Sequence, residues 1–166
     1  MHPSLHAATT PDKPAYIMAG SGEVVTFGEL EAQSNRLAHF FRKSGLKTGD
    51  CVAIFMENNR YFFQATWAAQ RSGLYYTCIS SRLTAGEVAY ILKDSGAKIL
   101  ISSRTMAPVA TAALADVPGV KGLMVDGDAP GFQKLDSALA GMPTTPIADQ
   151  AAGGDMLYSS GTTGKP

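Results

Sequence analysis

Short apolar segments alternate with helix-like segments along most of this sequence, and the alternation limits the folds that the chain can adopt. Cys51–Phe55 is apolar at every position, and Tyr75–Ile79, Ile99–Ile101 and Gly122–Val125 are largely so. A strand that is apolar at successive positions is buried on both of its faces, as in a parallel sheet covered by helices. The sequence therefore predicts an α/β fold with a mostly parallel sheet flanked by helices.

Two capping boxes mark the starts of helices between these strands. Thr26 precedes Glu29, and Thr84 precedes Glu87, at the spacing that lets each threonine and glutamate bond to the other's backbone amide. Both glutamates are therefore interpreted as structural caps and not as catalytic acids. Further helices are predicted at Arg60–Arg71, Met106–Ala115 and Phe132–Leu139. Strands and helices in this order predict a flavodoxin-like architecture in broad terms.

Composition excludes several classes of function. The chain has 14 basic and 14 acidic residues among 166, so bulk charge does not attract nucleic acid or an anionic membrane. Its apolar runs are too short for a transmembrane segment, and no basic region followed by an apolar stretch suggests a secretory signal. We expect a cytoplasmic protein.

The cysteines and histidines predict no metal site or disulfide. Cys51 and Cys78 each lie in a strand-like run, which favours buried free thiols. His2, His6 and His39 lack the spacing of metal ligands and are interpreted as isolated side chains.

Aromatic residues are concentrated in the middle of the chain. The set comprises Tyr61, Phe62, Phe63, Trp67, Tyr75 and Tyr76. Core packing between helix and sheet explains this concentration. An acyl channel and the surface of a homodimer are alternative interpretations.

The organisation of the chain changes near residue 141. Residues 1–140 are predicted to form an N-terminal α/β subdomain, and 141–154 a linker rich in glycine, proline and aspartate. The strand-like residues Met156, Leu157 and Tyr158 then indicate the start of a further subdomain at 155–166.

The segment from Ser159 to Pro166 combines glycines with hydroxyl side chains directly after a strand-like run. Glycine lets backbone amides approach a phosphate closely, and serine and threonine hydroxyls add donors. A Walker A loop is excluded, because that motif requires glycine where Ser159 stands and serine or threonine where Pro166 stands. Composition alone leaves two alternatives, a phosphate-binding loop and a flexible loop.

Several segments resemble one enzyme family. Leu157–Pro166 reads LYSSGTTGKP, which closely resembles the signature of the AMP-forming adenylating superfamily. Ser81–Lys98 is similar to a segment frequent in its acyl-CoA synthetase branch, and Thr26–Leu30, Ser34–Ala38 and Gly49–Ala53 match the front end of that family in order.

The resemblance implies a two-step reaction. A carboxylic acid attacks the α-phosphate of ATP to give acyl-AMP and pyrophosphate, and the thiol of coenzyme A then displaces AMP. Magnesium accompanies the nucleotide. The residues expected to contact the ATP phosphates are Ser159, Ser160, Gly161, Thr162, Thr163 and Gly164. Lys165 matches a variable position and is expected to be solvated.

Other parts of the family's machinery have no match before Pro166. The basic residue after the proline, the adenine-binding segment, the acidic magnesium ligand and the catalytic lysine all follow later in the family. We therefore expect the N-terminal part of an acyl-CoA ligase for a carboxylic or fatty acid, with no catalytic residue of its own and no activity in isolation. Alternatives are the front of an adenylation domain that loads a carrier protein, a non-catalytic α/β module, and an unrelated flavodoxin-like binding domain.

Overall fold

A six-stranded sheet forms the centre of the computed structural model, which describes residues 2–158. Its strands are β3 (Cys51–Phe55), β4 (Tyr75–Ile79), β5 (Ala97–Ser102), β6 (Lys121–Met124), β7 (Phe132–Lys134) and β8 (Gly154–Asp155). They lie in the order β7-β6-β5-β3-β4-β8, and every neighbouring pair is parallel. Counted from β3, the first five strands have the flavodoxin-like order 2-1-3-4-5, with β8 added beside β4. The predicted fold class is confirmed.

Helices cover both faces of this sheet. They are α2 (Phe27–Lys43), α3 (Phe62–Arg71), α4 (Ala85–Asp94), α5 (Ala107–Ala115) and α6 (Leu135–Leu139). Helices α2, α3 and α6 share one apolar cluster with Val52 and Ile54, whereas α4 and α5 share the other with Ala53 and Phe55. Because successive side chains of β3 enter opposite clusters, the whole strand is buried and apolar. Within residues 2–158, no helix combines the length and hydropathy that crossing a bilayer requires.

Both predicted capping boxes are present. The Glu29 carboxylate accepts from the Thr26 amide at 2.8 Å, and the Glu87 carboxylate accepts from the Thr84 amide at 2.7 Å. The glutamates therefore fix the starts of α2 and α4, as the sequence predicted.

The prediction of one helix over Phe132–Leu139 is wrong in its first part. Phe132–Lys134 is strand β7, and only Leu135–Leu139 is helical. The reason is a tertiary contact with β6: a Cβ on Gly122 would stand 2.7 Å from the Phe132 ring. Glycine at 122 lets Phe132 lie against β6, and strand pairing then overrides the local helical pattern.

Two predictions near the edge of the sheet also need correction. Cys51 is buried, but Cys78 is exposed, because its side chain lines a groove on one face of the sheet and does not enter the core. The strand predicted around Met156–Tyr158 is Gly154–Asp155 instead. Pairing with β4 stops after the Met156 amide donates to the Tyr76 carbonyl.

A small N-terminal unit packs beside the main sheet and was not predicted. It contains α1 (Pro3–Thr9) and the antiparallel pair β1 (Pro14–Ile17) and β2 (Val24–Thr26). The His6 ring stacks on Phe27 at the start of α2, with 4.7 Å between the ring centroids. The unit thereby extends the layer of helices on the α2 side.

Acidification is expected to loosen α1 through His2. Burial and the nearby Arg71 charge lower the pKa of His2 below its usual 6.5, against the opposing effect of Glu31. Folding thus favours the neutral ring, whose Nδ1 accepts from the Ser4 amide at 3.2 Å. This contribution to stability is present above pH 6.5 and is lost as the pH falls through the folded-state pKa.

Amide hydrogen exchange across α1 between about pH 7 and pH 5 measures this effect. His2→Asn keeps a capping acceptor without a titrating ring and should remove the pH dependence. His39→Asn is the matched control and should retain it. An unchanged pH profile in His2→Asn would contradict the assignment to His2.

Candidate functional site

The predicted phosphate-binding residues Ser159, Ser160, Gly161, Thr162, Thr163 and Gly164 lie outside the described residues. The described part of the chain includes the segment that leads directly into them. The contacts of this leading segment fix the point at which the chain leaves the sheet toward the predicted phosphate-binding residues.

Strand β8 attaches this segment to the edge of the sheet. Gly154 pairs with Tyr75, and the Gly154 amide donates to the Leu74 carbonyl at 3.2 Å. The Met156 amide donates to the Tyr76 carbonyl at 2.8 Å. Backbone bonds on both sides of Asp155 therefore hold the chain against β4 up to residue 156.

Gly153 permits the close approach that this pairing requires. Its amide donates to the Gln70 carbonyl at 2.7 Å, and a Cβ at this position would stand 2.2 Å from the Leu74 carbonyl oxygen. No side chain can occupy that space without a shift of the backbone. Sequence reasoning missed this glycine, although the Gly153–Gly154 pair before an apolar run was a signal for close backbone contact.

Residues 142–153, within the segment predicted as a linker, follow α2 and α3. The Asn35 amide donates to the Thr144 carbonyl at 2.8 Å, and Arg42 Nε donates to the Asp149 carboxylate at 2.9 Å. This irregular segment is thus held by side chains of α2 before it reaches β8.

Tyr158 provides the last described anchor before the predicted loop. Its hydroxyl donates to the Asp94 carboxylate at 2.7 Å, at the end of α4. Burial, together with this bond and the charge of Asp94, raises the pKa of Tyr158. The phenol therefore stays protonated at neutral pH and remains a donor.

An apolar groove of about 390 Å³ lies beside β8. Its walls include Phe62, Phe63, Trp67, Tyr76 and Leu157. Phe62 and Tyr76 also pack against the core, whereas Phe63 is 46% exposed and Leu157 is 81% exposed. Core packing thus accounts for only part of the aromatic concentration, and Phe63 and Trp67 line an open apolar groove instead.

The connections that follow β3 and β5 leave the sheet in opposite directions, toward β4 and β6. The crevice between the carboxyl ends of two such strands is the usual ligand site in a sheet with this strand order. An internal hydrogen bond from the Ser103 hydroxyl to the Glu57 carboxylate bridges the two strand ends. Burial raises the pKa of Glu57, but the bonds from Ser103 and its neighbours outweigh that effect and lower it. Glu57 is therefore an ionised structural acceptor at neutral pH.

The three histidines have individual structural contacts. His2 caps α1, His6 stacks on Phe27, and His39 Nε2 lies 2.9 Å from the Thr145 carbonyl. Between residues 2 and 158, no group of three histidine, cysteine, aspartate or glutamate side chains is placed to hold a metal ion.

Known proteins similar to this chain include long-chain fatty acid transport proteins and ligases that act on fatty or aromatic acids. The chain is 34% identical over 166 residues to the long-chain-fatty-acid–CoA ligase FadD13 of Mycobacterium tuberculosis, covering 96% of this chain and 32% of that protein. It is 32% identical over 166 residues to the fatty acid–[acyl-carrier-protein] ligase ScoC of Streptomyces coeruleorubidus, covering 98% and 30%. The chain spans about a third of the length of these relatives.

A solved structure shares the fold. The crystal structure of the anthranilate CoA ligase AuaEII in complex with anthranoyl-AMP superposes with a TM-score of 0.88, covering 99% of this chain and 32% of that one at 22% identity. The family model described as AMP-binding enzyme matches residues 4–166. That match covers nearly the whole sequence, and the chain belongs to the AMP-binding enzyme family.

Proposed function

We propose that this chain is the N-terminal part of an ATP-dependent, AMP-forming acyl-CoA ligase for a carboxylic or fatty acid. The observation that carries the proposal is the family match over residues 4–166, which includes the LYSSGTTGKP segment. The acid's carboxylate attacks the α-phosphate of ATP and pyrophosphate leaves. The thiol of coenzyme A then attacks the acyl carbon and AMP leaves.

In this proposal, the segment Ser159–Gly164 binds the ATP phosphates. Backbone amides next to glycines and the hydroxyls of serine and threonine are suitable donors to phosphate oxygens. The contacts of β8 and Tyr158 support the assignment, because they fix the chain immediately before this segment. Mg²⁺ accompanies the nucleotide, and we assign it no ligand among residues 2–158. Residues 155–166 would open the next subdomain, and the protein would act in the cytoplasm.

Loss of a single loop hydroxyl is expected to slow adenylation. In the complete enzyme, Thr163→Val keeps the shape of the side chain and removes one donor to the phosphates. Acid-dependent exchange of pyrophosphate into ATP should fall by at least about tenfold, since losing one well-placed donor commonly costs more than that. Lys165→Ala is the matched control and should leave exchange near the unsubstituted level.

Unchanged exchange in Thr163→Val would contradict the assignment of this loop to the ATP phosphates. We also expect no exchange from residues 1–166 alone. Acid-dependent exchange by these residues would contradict that expectation and show that the chain needs none of the machinery that the family carries elsewhere.

A carrier-protein ligase is the second candidate, and the similarity to ScoC favours it. Both candidates form acyl-AMP, so the acceptor distinguishes them. The enzyme is incubated with acid, ATP and either coenzyme A or a phosphopantetheinylated carrier protein. Rapid thioester formation on the carrier alone would replace the CoA ligase proposal with this second one.

A further inference from the structure

A second cavity, of about 330 Å³, lies between α2, α3 and α6 on the face of the sheet opposite α4 and α5. Gln33 and Arg36 contribute from α2, Tyr61 and Gln64 from the start of α3, and Asp136 from the first turn of α6. The contacts described for the predicted adenylation loop do not involve these residues. The cavity is therefore a site separate from β8 and the apolar groove.

Two hydrogen-bond donors on its walls have no partner among the described residues. They are Arg36 Nε and Gln64 Nε2, and both atoms are buried. Gln64 is only 6% exposed, so a partner for its amide has to come from within the cavity that it lines. Buried donors are normally satisfied, and an unsatisfied pair on one cavity indicates an acceptor that completes the site.

The start of α3 adds to this donor character. Tyr61 is the N-cap of this ten-residue helix and makes no side-chain capping bond, and Gln64 lies in the first turn. The Phe62 amide donates to the Asn59 carbonyl at 3.3 Å, but the first turn as a whole still carries partial positive charge that attracts anions. Donors from α2 and from the start of α3 therefore face one space from different sides.

The charges around the cavity also bear on its ligand. Arg36 and Arg60 line it with positive charge, although Arg60 is bound to Glu23 with 2.5 Å between nitrogen and oxygen. Asp136 lines it with negative charge and opposes an anion. Arg36 is the cation of this cavity that has no salt-bridge partner among the described residues. Together with donors from several directions, it favours a compact oxyanion that carries several oxygens.

We propose that this cavity binds a phosphate group, with Arg36, Gln64 and the first turn of α3 as its donors. Arg36 supplies the charge, Gln64 supplies a buried amide, and Asp136 limits the affinity by repulsion. The site goes beyond the proposed ligase reaction and uses none of its predicted residues.

Titration of the protein with inorganic phosphate at constant ionic strength tests the site. NMR resonances of the Gln64 side-chain amide and of Arg36 Nε report local binding. We expect saturable shifts of both signals. Arg36→Gln should weaken phosphate binding by roughly tenfold, because it removes a charged donor. Asp136→Asn should strengthen it by several-fold, and this exposed position should tolerate the change.

Lys93→Gln, on the opposite face of the sheet, removes the same charge as Arg36→Gln and is the matched control. It should leave the affinity unchanged. A titration with glycerol phosphate in parallel distinguishes the source: tighter binding than inorganic phosphate indicates a phosphorylated small molecule, and equal or weaker binding indicates the free ion.

Three results would overturn the proposal. The first is an absence of shifts at Gln64 and Arg36, and the second is an equal loss of affinity in Lys93→Gln and Arg36→Gln. The third is weaker binding in Asp136→Asn. This second variant keeps the proposal testable even where Arg36→Gln impairs folding.

Discussion

Replacing Gly153 with alanine is expected to detach the segment that leads into the predicted phosphate loop. A Cβ at this position would stand 2.2 Å from the Leu74 carbonyl oxygen and 2.8 Å from the Leu74 amide nitrogen. Both atoms belong to the backbone next to β4 and cannot rotate away as a side chain could. The clash should cost about 2–3 kcal/mol, at the upper end of typical overpacking, and local separation of β8 from β4 would relieve it.

Gly154→Ala provides a matched control one residue away. A Cβ on Gly154 would meet nothing within 4 Å, so its effect should stay within about 0.5 kcal/mol. Hydrogen exchange at the Met156 amide, which donates to Tyr76, measures the attachment of the segment. Urea unfolding measures the effect on the whole fold. Equal protection of Met156 in the two variants would contradict the steric argument.

The same substitution connects the sheet to the proposed chemistry. If the loop at Ser159–Gly164 depends on a fixed starting point, the complete enzyme with Gly153→Ala should show weaker ATP binding, whereas Gly154→Ala should not. Positioning of reacting groups accounts for much of the rate of phosphoryl and adenylyl transfer. Nucleotide titration of both variants would measure this coupling.

Local signals made most of the fold predictable from the sequence. Cys51–Phe55 is apolar throughout because both of its faces are covered, and that pattern identifies a central parallel strand without further information. The pairs Thr26–Glu29 and Thr84–Glu87 mark helix starts because their bonds span only three residues.

The missed features depend on contacts between distant segments. Phe132 is in a strand because Gly122 leaves room for its ring, and Cys78 is exposed because it lines a groove between β4 and α3. Neither cause is visible in the sequence around the affected residue. The N-terminal strands β1 and β2 are short, and one side of their hairpin begins with proline, which weakened their signal.

The two candidate sites also differ in whether neighbouring or distant residues of the sequence form them. A contiguous motif led, through family resemblance, to the prediction that Ser159–Gly164 is a phosphate loop, and this stays a prediction. The second cavity was not predictable, because Arg36, Gln64 and Asp136 come from three helices that only the folded chain brings together.

Removal of the Glu31 carboxylate is expected to have the largest effect on stability. The Arg71 side chain is 0% exposed and lies 2.5 Å from Glu31, which is 17% exposed, and Asn35 accepts a further bond from it. Glu31→Gln leaves a buried guanidinium without a counter-charge. Breaking a buried pair in this way typically costs about 3–5 kcal/mol.

The ion pair between Arg60 and Glu23 is the matched control. Its nitrogen–oxygen distance is also 2.5 Å, but the two side chains are 39% and 40% exposed. Water screens this pair, so Glu23→Gln should cost less than about 1 kcal/mol. Urea unfolding of the two variants tests whether burial, and not the nitrogen–oxygen distance, sets the loss of stability. Equal losses in the two variants would contradict the role of burial.

The buried pair also predicts a dependence on pH. Burial raises the pKa of Glu31, but the hydrogen bond and charge of Arg71 and the bond from Asn35 outweigh it, so the pKa lies below its usual 4.5. The carboxylate therefore stabilises the fold above pH 4.5, and that contribution is lost as the pH falls through the folded-state pKa. Glu31→Gln should remove this acid-dependent part of the unfolding free energy.

The double variant Glu31→Gln/Arg71→Met distinguishes an unpaired charge from lost packing. Methionine retains much of the apolar stem of Arg71 and carries no charge that needs a partner. If the cost of Glu31→Gln arises from the isolated guanidinium, the double variant should be more stable than Glu31→Gln alone. Additive losses from the two substitutions would instead assign the effect to packing between α2 and α3.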